Sequence, residues 1–347
     1  MSESTYRSLT ASDVAKKLTE MAKEKKKLLI CAHRNPDGDA VGSAFALKLI
    51  YEKLSGSAYC VSSDEVPDYL RFLLKGQSSI KFSENIEYDT IVSVDTASPE
   101  QLGDLIFLCN EIVLSIDHHE SCTPYCDEYR NKEASAAGEL IMSVYEYLVE
   151  NKEIEADADI ARLIYAAISA DTGSFKYSNT TYDTHIMAAR LVKTVNSDKN
   201  GINTAEISRL IHNSKSLKAL KAEKLSIENL NTAENGKIAY VLLKTEQMEE
   251  NGLTEDDFGS AVDIPRSIEG VLLSFVLKES NKKSENKEKV FRVSARSSCE
   301  VSVADICKKF GGGGHAKAAG ATIYAENAEK AKEILLSEFE KALKGEN

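Results

Sequence analysis

The stretch LLICAHRNPDGDAVGS, residues 28–43, leaves the chain few ways to fold. Leu28, Leu29, Ile30 and Cys31 form an apolar run with the length and flanks of a buried parallel strand. It passes straight into a polar turn holding His33, Asp37, Gly38 and Asp39, and a helix follows. The H-x3-D-x-D set therefore falls at a strand's carboxyl end, where open α/β sheets place their ligands. One imidazole and two carboxylates within seven residues suggest a cation. Mixed nitrogen and oxygen donors suit manganese better than magnesium or calcium, whereas zinc more often takes cysteine or several histidines. The blander reading is a tight Asn-Pro-Asp-Gly-Asp turn whose last Asp caps the next helix, and on this stretch alone the two weigh equally. Pro36 and the lack of a closing acidic residue rule out an EF-hand loop, and the turn is no phosphate-binding P-loop.

The rest of the first half alternates helices and strands. Ser12 can cap a helix whose Val14, Leu18 and Met21 share one face. After the first strand come a helix from Ala40 to about Leu54, a strand at Ala58 to Val61, and a helix near Pro67 to Leu74. A strand at Thr90 to Val94 then ends in Asp95. A short helical crossover leads to the strand Ile112 to Ile116, which ends in Asp117, His118 and His119. Helices at Ser135–Val149, Asp157–Ala170 and Asp183–Val195 follow, and Asp171 opens the turn between the last two. This is a βαβ pattern, implying a parallel sheet with helices on both faces. The polar stretch 196–201 and a charged helical stretch from Thr204 to about Leu230 read as a connector. Strands at Lys237–Lys244, Gly270–Lys278 and Val290–Arg296 come next, the last two joined by the polar tip Glu279 to Glu288. A short helix Val303–Phe310, the run Gly311 to Gly314 before His315, and a helix from about Ala328 to Leu343 complete the chain.

In a parallel sheet the strand ends converge. Asp95 and the Asp117-His118-His119 trio should share an edge with His33, Asp37 and Asp39, and Asp171 can join them. Taken singly, each is as easily a turn former or a solvated histidine. Together they exceed what one cation needs, and so many carboxylates would repel one another without divalent ions between them, so two metals are the simplest account. The 347 residues suffice for two domains. No segment has the length of a membrane span and the N-terminus lacks a signal-peptide pattern, so a cytoplasmic protein is expected. The seven cysteines, with no C-x2-C pair, fit reduced thiols; Cys122 and Cys126 form a C-x3-C more readily read as idle than as ligands. A net charge of -12 argues against a surface for long duplex nucleic acid.

At this point the chain resembles the DHH phosphoesterase superfamily. AHRNPDGDAVGS looks like its first motif, VSVDTAS its second, IDHHES its third and SADTGSFKYSNTT its fourth, while FGGGGHAKAAG, preceded by SARSS, resembles the associated substrate-binding domain. The resemblance implies an N-terminal parallel-sheet α/β metal domain over 1–195, a helical connector over 196–230, and a smaller C-terminal α/β domain with a mixed sheet over 231–347. It also implies that His33, Asp37 and Asp95 hold one manganese and that Asp39, Asp95, His118 and Asp171 hold the other, with magnesium or cobalt as substitutes. Asp117 would orient His118, and His119 would point at substrate phosphate. One departure is visible: Cys122 follows Ser121 where the family often has Ser-Asn. In the C-terminal domain Arg296, Gly312, Gly313, Gly314 and His315, with Lys317 near them, would bind substrate, the glycines letting a phosphate approach the backbone.

Within the superfamily the likeness is to bacterial nanoRNases that also act as 3′-phosphoadenosine 5′-phosphate (pAp) phosphatases. The implied activity is manganese-dependent hydrolysis of very short single-stranded RNA and of pAp to AMP, in a cleft closed between the metal edge and the basic cradle, with a homodimer left open. A cyclic or linear dinucleotide phosphodiesterase, or an inorganic pyrophosphatase, is the alternative on the same metal platform. A non-catalytic nucleotide-binding module is disfavoured because no ligand is missing.

Overall fold

The computed structural model describes residues 6–76, 80–82, 86–283 and 288–345. The chain forms two compact units, Met1–Ser214 and Lys215–Asn347. The first begins with helix α1 (Ala11–Lys23), capped by Thr10 rather than Ser12, because the Asp13 carboxylate closes a reciprocal box with Thr10. The run that opens the metal motif is β1 (Lys27–Ala32), buried along nearly its whole length. Then come α2 (Gly38–Lys53), β2 (Ser57–Ser62), β3 (Ile80–Lys81), β4 (Thr90–Val94), β5 (Ile112–Asp117) and β6 (Glu128–Arg130). The sheet order is β3-β2-β1-β4-β5-β6 and every pairing is parallel. The chain runs outward from β1 to β3, then returns to lay β4 on the other side of β1. The point where strand order reverses is thus the β1/β4 boundary, where His33 and Asp95 emerge.

Helices α3 (Ala137–Glu150), α4 (Ala158–Asp171), α5 (Tyr182–Ser197) and the short α6 (Thr204–Ser208) complete this unit. Glycines set the closeness of α2 to α4. A Cβ on Gly38 would lie 2.5 Å from the Ala170 Cβ, and one on Gly42 would lie 2.6 Å from the Leu163 carbonyl oxygen. That approach brings Asp39, in the first turn of α2, towards Asp171, at the end of α4. The helix expected at 67–74 and the crossover before β5 are both 3-10 turns, Asp68–Leu74 and Pro99–Glu111. The continuous helix expected from Thr204 is broken. A π-helical turn, Arg209–Asn213, follows α6, and a new helix starts beyond Ser216.

The second unit opens with that helix, α7 (Leu217–Glu228), followed by β7 (Leu230–Ala233), β8 (Ile238–Leu243), α8 (Thr245–Glu250), α9 (Asp263–Arg266), β9 (Leu273–Lys283), β10 (Lys289–Ser297), α10 (Val303–Lys308), β11 (Gly313–His315), β12 (Ala318–Ala325) and α11 (Ala328–Lys344). Its sheet runs β11-β12-β10-β9-β8-β7. It is mixed, because β8 pairs with β9 in parallel while the other pairs are antiparallel. Part of the polar tip expected at 279–288 lies inside β9, and its centre, 284–287, falls outside the described residues. One face packs against α10 and α11 around Phe275, Phe291 and Phe339. The opposite face is covered over β8 and β9 by α7 and the turn Glu255–Val262, through Val241, Leu243 and Val276. Among the described residues no helix is long and apolar enough to cross a membrane.

Candidate metal centre

Asp95 stands at the middle of the site. It follows β4 with a left-handed backbone, φ 54°, and its amide donates to the Ile116 carbonyl at 2.9 Å. Such a φ is disfavoured for most side chains but tolerated by Asp. Its carboxylate is almost wholly buried, with Oδ2 3.4 Å from His33 Nε2 and Oδ1 3.6 Å from both His118 Nε2 and His119 Nδ1. Asp95 Oδ1 accepts no hydrogen bond, and neither does Asp117 Oδ2. Orphaned carboxylate oxygens in a buried site fit a cation. The turn behind Asp95 is pinned by Tyr125, whose hydroxyl donates to the Thr96 carbonyl at 3.1 Å and meets Ser93 Oγ at 2.8 Å.

On one side of Asp95, His33 Nε2 also faces Asp37 Oδ1 at 3.9 Å. Asp37, not Asp39, caps α2: its Oδ1 accepts from the amides of Asp39 at 2.9 Å and Ala40 at 3.1 Å. The turn-and-cap reading and the ligand reading therefore meet in one side chain. On the other side, His118 Nε2 lies 3.2 Å from Asp171 Oδ2 and 3.7 Å from Asp39 Oδ2. Asp39 is fully buried and held by Ser43 Oγ and by the Ala137 and Gly138 amides, at 2.8, 2.6 and 3.0 Å. Those amides open α3, whose own cap position, Ala136, offers no side-chain acceptor. Three overlapping triads result, each with ligand atoms within 4.8 Å of one another: His33, Asp37 and Asp95; Asp39, His118 and Asp171; and Asp95, His118 and His119.

All three histidines present the same edge. His33 Nδ1 lies 2.7 Å from the Arg34 carbonyl, His118 Nδ1 lies 3.3 Å from the Ala134 carbonyl, and His119 Nδ1 lies 2.7 Å from Asp117 Oδ1. A carbonyl or carboxylate can only accept, so each Nδ1 carries a proton, and Nε2 is the nitrogen a metal could take once its own proton is lost. The expected pairing of Asp117 with His118 is corrected here. Side chains two apart on an extended backbone share a side, so Asp117 reaches His119 and leaves His118 to a backbone carbonyl. Arg130 in turn grips the His119 carbonyl from Nε at 3.0 Å and also the Glu120 carbonyl, fixing the trio's exit.

Left to protons alone, the cluster titrates far from ordinary values. Burial pulls His33 down, but the Asp37 and Asp95 carboxylates outweigh it and push the imidazole up to about 11. Burial also opposes the charge on His118, yet Asp171, Asp39 and Asp95 push it up to about 10. Asp39 is driven well above the usual carboxylate range by burial and then by Asp95 and Asp171, and burial raises Asp171 too. Asp37 goes the other way, since His33 and the two helix-opening amides outweigh its burial. At neutral pH His33 and His118 thus hold protons that a cation must displace. Divalent-ion affinity is expected to rise between pH 6 and 9, about tenfold per pH unit for each proton released. Calorimetry in buffers of differing protonation enthalpy measures that release; a flat profile would contradict this electrostatic picture.

The second unit carries the remaining expected residues. Arg296 on β10 pairs with Ala318 on β12, and Ala318 pairs with His315 on β11. Arg296 and His315 therefore lie two strands apart on one face, about 10 Å across the sheet. Ser274, the neighbour of Arg296 on β9, has a buried hydroxyl with no partner. Lys317 is engaged with the Cys299 carbonyl. The glycines divide into two kinds. A Cβ on Gly312 or Gly314 would run into the Gly320 or Ala318 carbonyl oxygen, at 2.1 and 2.6 Å, and Gly311 has φ 70°. The amides of Gly311 and Gly312 donate to Lys308 and Cys307. Only Gly313 is free of such demands, with nothing within 4 Å of its would-be Cβ. Cys122 and Cys126 join no metal-type group among the described residues, and all seven cysteines are free.

Sequence reasoning missed Ser43, Tyr125, Arg130 and the Ala137–Gly138 amides. Ser43 alone had a signal, because it lies one helical turn after Asp39.

Residues 27–168 match the model of the DHH family, N-terminal domain, and residues 235–342 match the DHHA1 domain. The chain is 30% identical to the bifunctional oligoribonuclease and PAP phosphatase NrnA of Thermus thermophilus, over 89% of this chain and 88% of that one. It is 29% identical to the protein of the same description from Bacillus subtilis, over 86% and 90%. An exopolyphosphatase-related protein from Bacteroides fragilis superposes with a TM-score of 0.81 over 96% of both chains at 22% identity, a likeness of fold.

Proposed function

We propose, for a chain that belongs to the DHH family and carries a DHHA1 domain, a two-metal phosphoesterase that hydrolyses very short RNA to mononucleotides and pAp to AMP. The observation that carries this reading is the pair of His/Asp triads flanking the shared, orphaned carboxylate of Asp95 at the sheet's switch point. His33, Asp37 and Asp95 would hold one divalent ion and Asp39, His118 and Asp171 the other, with Asp95 between them. Manganese suits this oxygen and nitrogen set. When bound, such ions supply Lewis-acid polarisation of a phosphoryl oxygen and activation of water.

The protein's own part is orientation and charge. Asp117 fixes the His119 ring and, through their hydrogen bond, raises its pKa, which favours the charged form of a partly exposed imidazole that would face a phosphate oxygen. In the second unit Arg296 and His315 offer donors on one face, and Gly313 leaves its backbone open to close approach. Hydrolysis of pAp, a ribodinucleotide, cyclic di-AMP, its linear product and pyrophosphate, each with manganese, tests the substrate reading. Turnover of the first two above the others is expected, and preference for cyclic di-AMP or pyrophosphate would overturn it.

Arg296→Ala and His315→Ala should leave manganese binding intact and lower kcat/KM on pAp and short RNA by roughly ten- to a hundredfold, the worth of a charge-assisted contact. Bis-p-nitrophenyl phosphate, which lacks a distal phosphate, should suffer much less. Equal slowing of artificial and natural substrates would remove both residues from phosphate reading.

A further inference from the structure

The face of the second sheet that bears Arg296 does not end there. Alternation along β10 puts Ser294 and Arg292 on the same side, and the register sets Thr322 and Lys278 beside Arg292 on the flanking strands. The turn Glu255–Val262 covers this face over β9, and the Phe310–Gly312 segment rises at the other side. Between them lies a cavity of about 720 Å³ lined by Lys278, Arg292, Ser294, Thr322, Tyr324 and the backbone of Gly312. The chemistry of its walls is uneven. Arg292 is half-exposed, with one edge of its guanidinium 3.4 Å from Glu255, and the Lys278 ammonium donates to the Glu255 carbonyl. The hydroxyl-bearing residues Ser294 and Thr322 line the same groove. Tyr324 is 54% exposed on a strand whose neighbouring residues, Ile323 and Ala325, are buried.

Two cations, two hydroxyls and an exposed ring in one groove match a phosphate with a base beside it. The ring offers a stacking platform that accepts any base, and the cations neutralise backbone charge. From Arg296 to Arg292 the strand advances about 13 Å, further than one nucleotide reaches. We propose that this groove is a second nucleotide subsite, taking the distal part of a single-stranded oligoribonucleotide whose nearer phosphate is read at Arg296 and Gly313. The inference rests on the functional reading above and deepens it: the protein would measure substrate length, and pAp and dinucleotides would end short of the groove. A chain of net charge -12 would in this way confine its attraction for RNA to one short track.

The test uses the full chain with Arg292→Gln and Tyr324→Ala, neither of which touches the metal centre. With manganese, kcat/KM on a ribotetranucleotide should fall about tenfold in each variant, the scale of one stacked base or one phosphate contact, while pAp and a ribodinucleotide stay within about twofold of wild type. In EDTA, anisotropy of a labelled tetranucleotide should show the same loss of affinity without turnover. Losses equal on all three substrates, or unchanged tetranucleotide binding in EDTA, would overturn the subsite. Wild-type protein that hydrolyses neither RNA nor pAp would instead overturn the functional reading, and the anisotropy series would still decide the groove.

Discussion

Asp95→Ala should abolish turnover on every substrate, by about 10⁴-fold or more. Both proposed ion sites lose a carboxylate at once, and the several kcal/mol that paired ions contribute to charge stabilisation go with it. The fold should survive. The lost side chain makes no hydrogen bond through Oδ1, and removing one of several crowded carboxylates relieves repulsion. The main structural cost is conformational, since Ala at φ 54° is disfavoured by roughly 1–2 kcal/mol. Asp95→Asn separates the two effects, because Asn tolerates that backbone but offers a weaker ligand. Calorimetric metal titration beside activity decides the matter: a variant with near wild-type rates at saturating manganese would remove Asp95 from the centre.

The second large effect divides the histidine pair. His118→Ala should lose divalent-ion affinity, because the imidazole faces Asp39, Asp95 and Asp171. His119→Ala should keep the ions and lose roughly 10²–10³ in kcat, the usual worth of one donor aimed at developing charge. The hydrogen bond from His119 to Asp117 adds a sharper expectation. Asp117→Ala should resemble His119→Ala, and the double variant should be no worse than either single one, since residues acting as a unit are not additive. Additive losses, or loss of metal in the Asp117 variant, would show that Asp117 serves His118 after all.

Much of this centre was legible because it is anchored to buried strands. An apolar run such as Leu28–Cys31 has one place in a parallel sheet, and a polar residue straight after it has one edge to occupy. His33, Asp95 and the trio at 117–119 follow from that rule. The choice of partner within the trio was missed although spacing records it, since Asp117 and His119, two apart on an extended backbone, share a side. The strands β11 and β12 were missed for another reason: glycine and alanine carry little strand propensity, and their pairing is decided by the closeness that missing side chains allow. Helix α6, the π-turn and α7 were read as one long helix because charge and periodicity continue through Ser214, and the cap that Ser216 gives the next helix was passed over.

The order in which the ligands are synthesised is also fixed by this architecture. His33, Asp37 and Asp95 come from β1, α2 and β4, whereas Asp171 closes the other triad from the end of α4. At about 5–20 residues per second, Asp171 leaves the ribosome several seconds or more after Asp95. A nascent chain therefore contains every residue of one triad well before the last residue of the second, and under the two-ion reading proposed above the ions need not be acquired together.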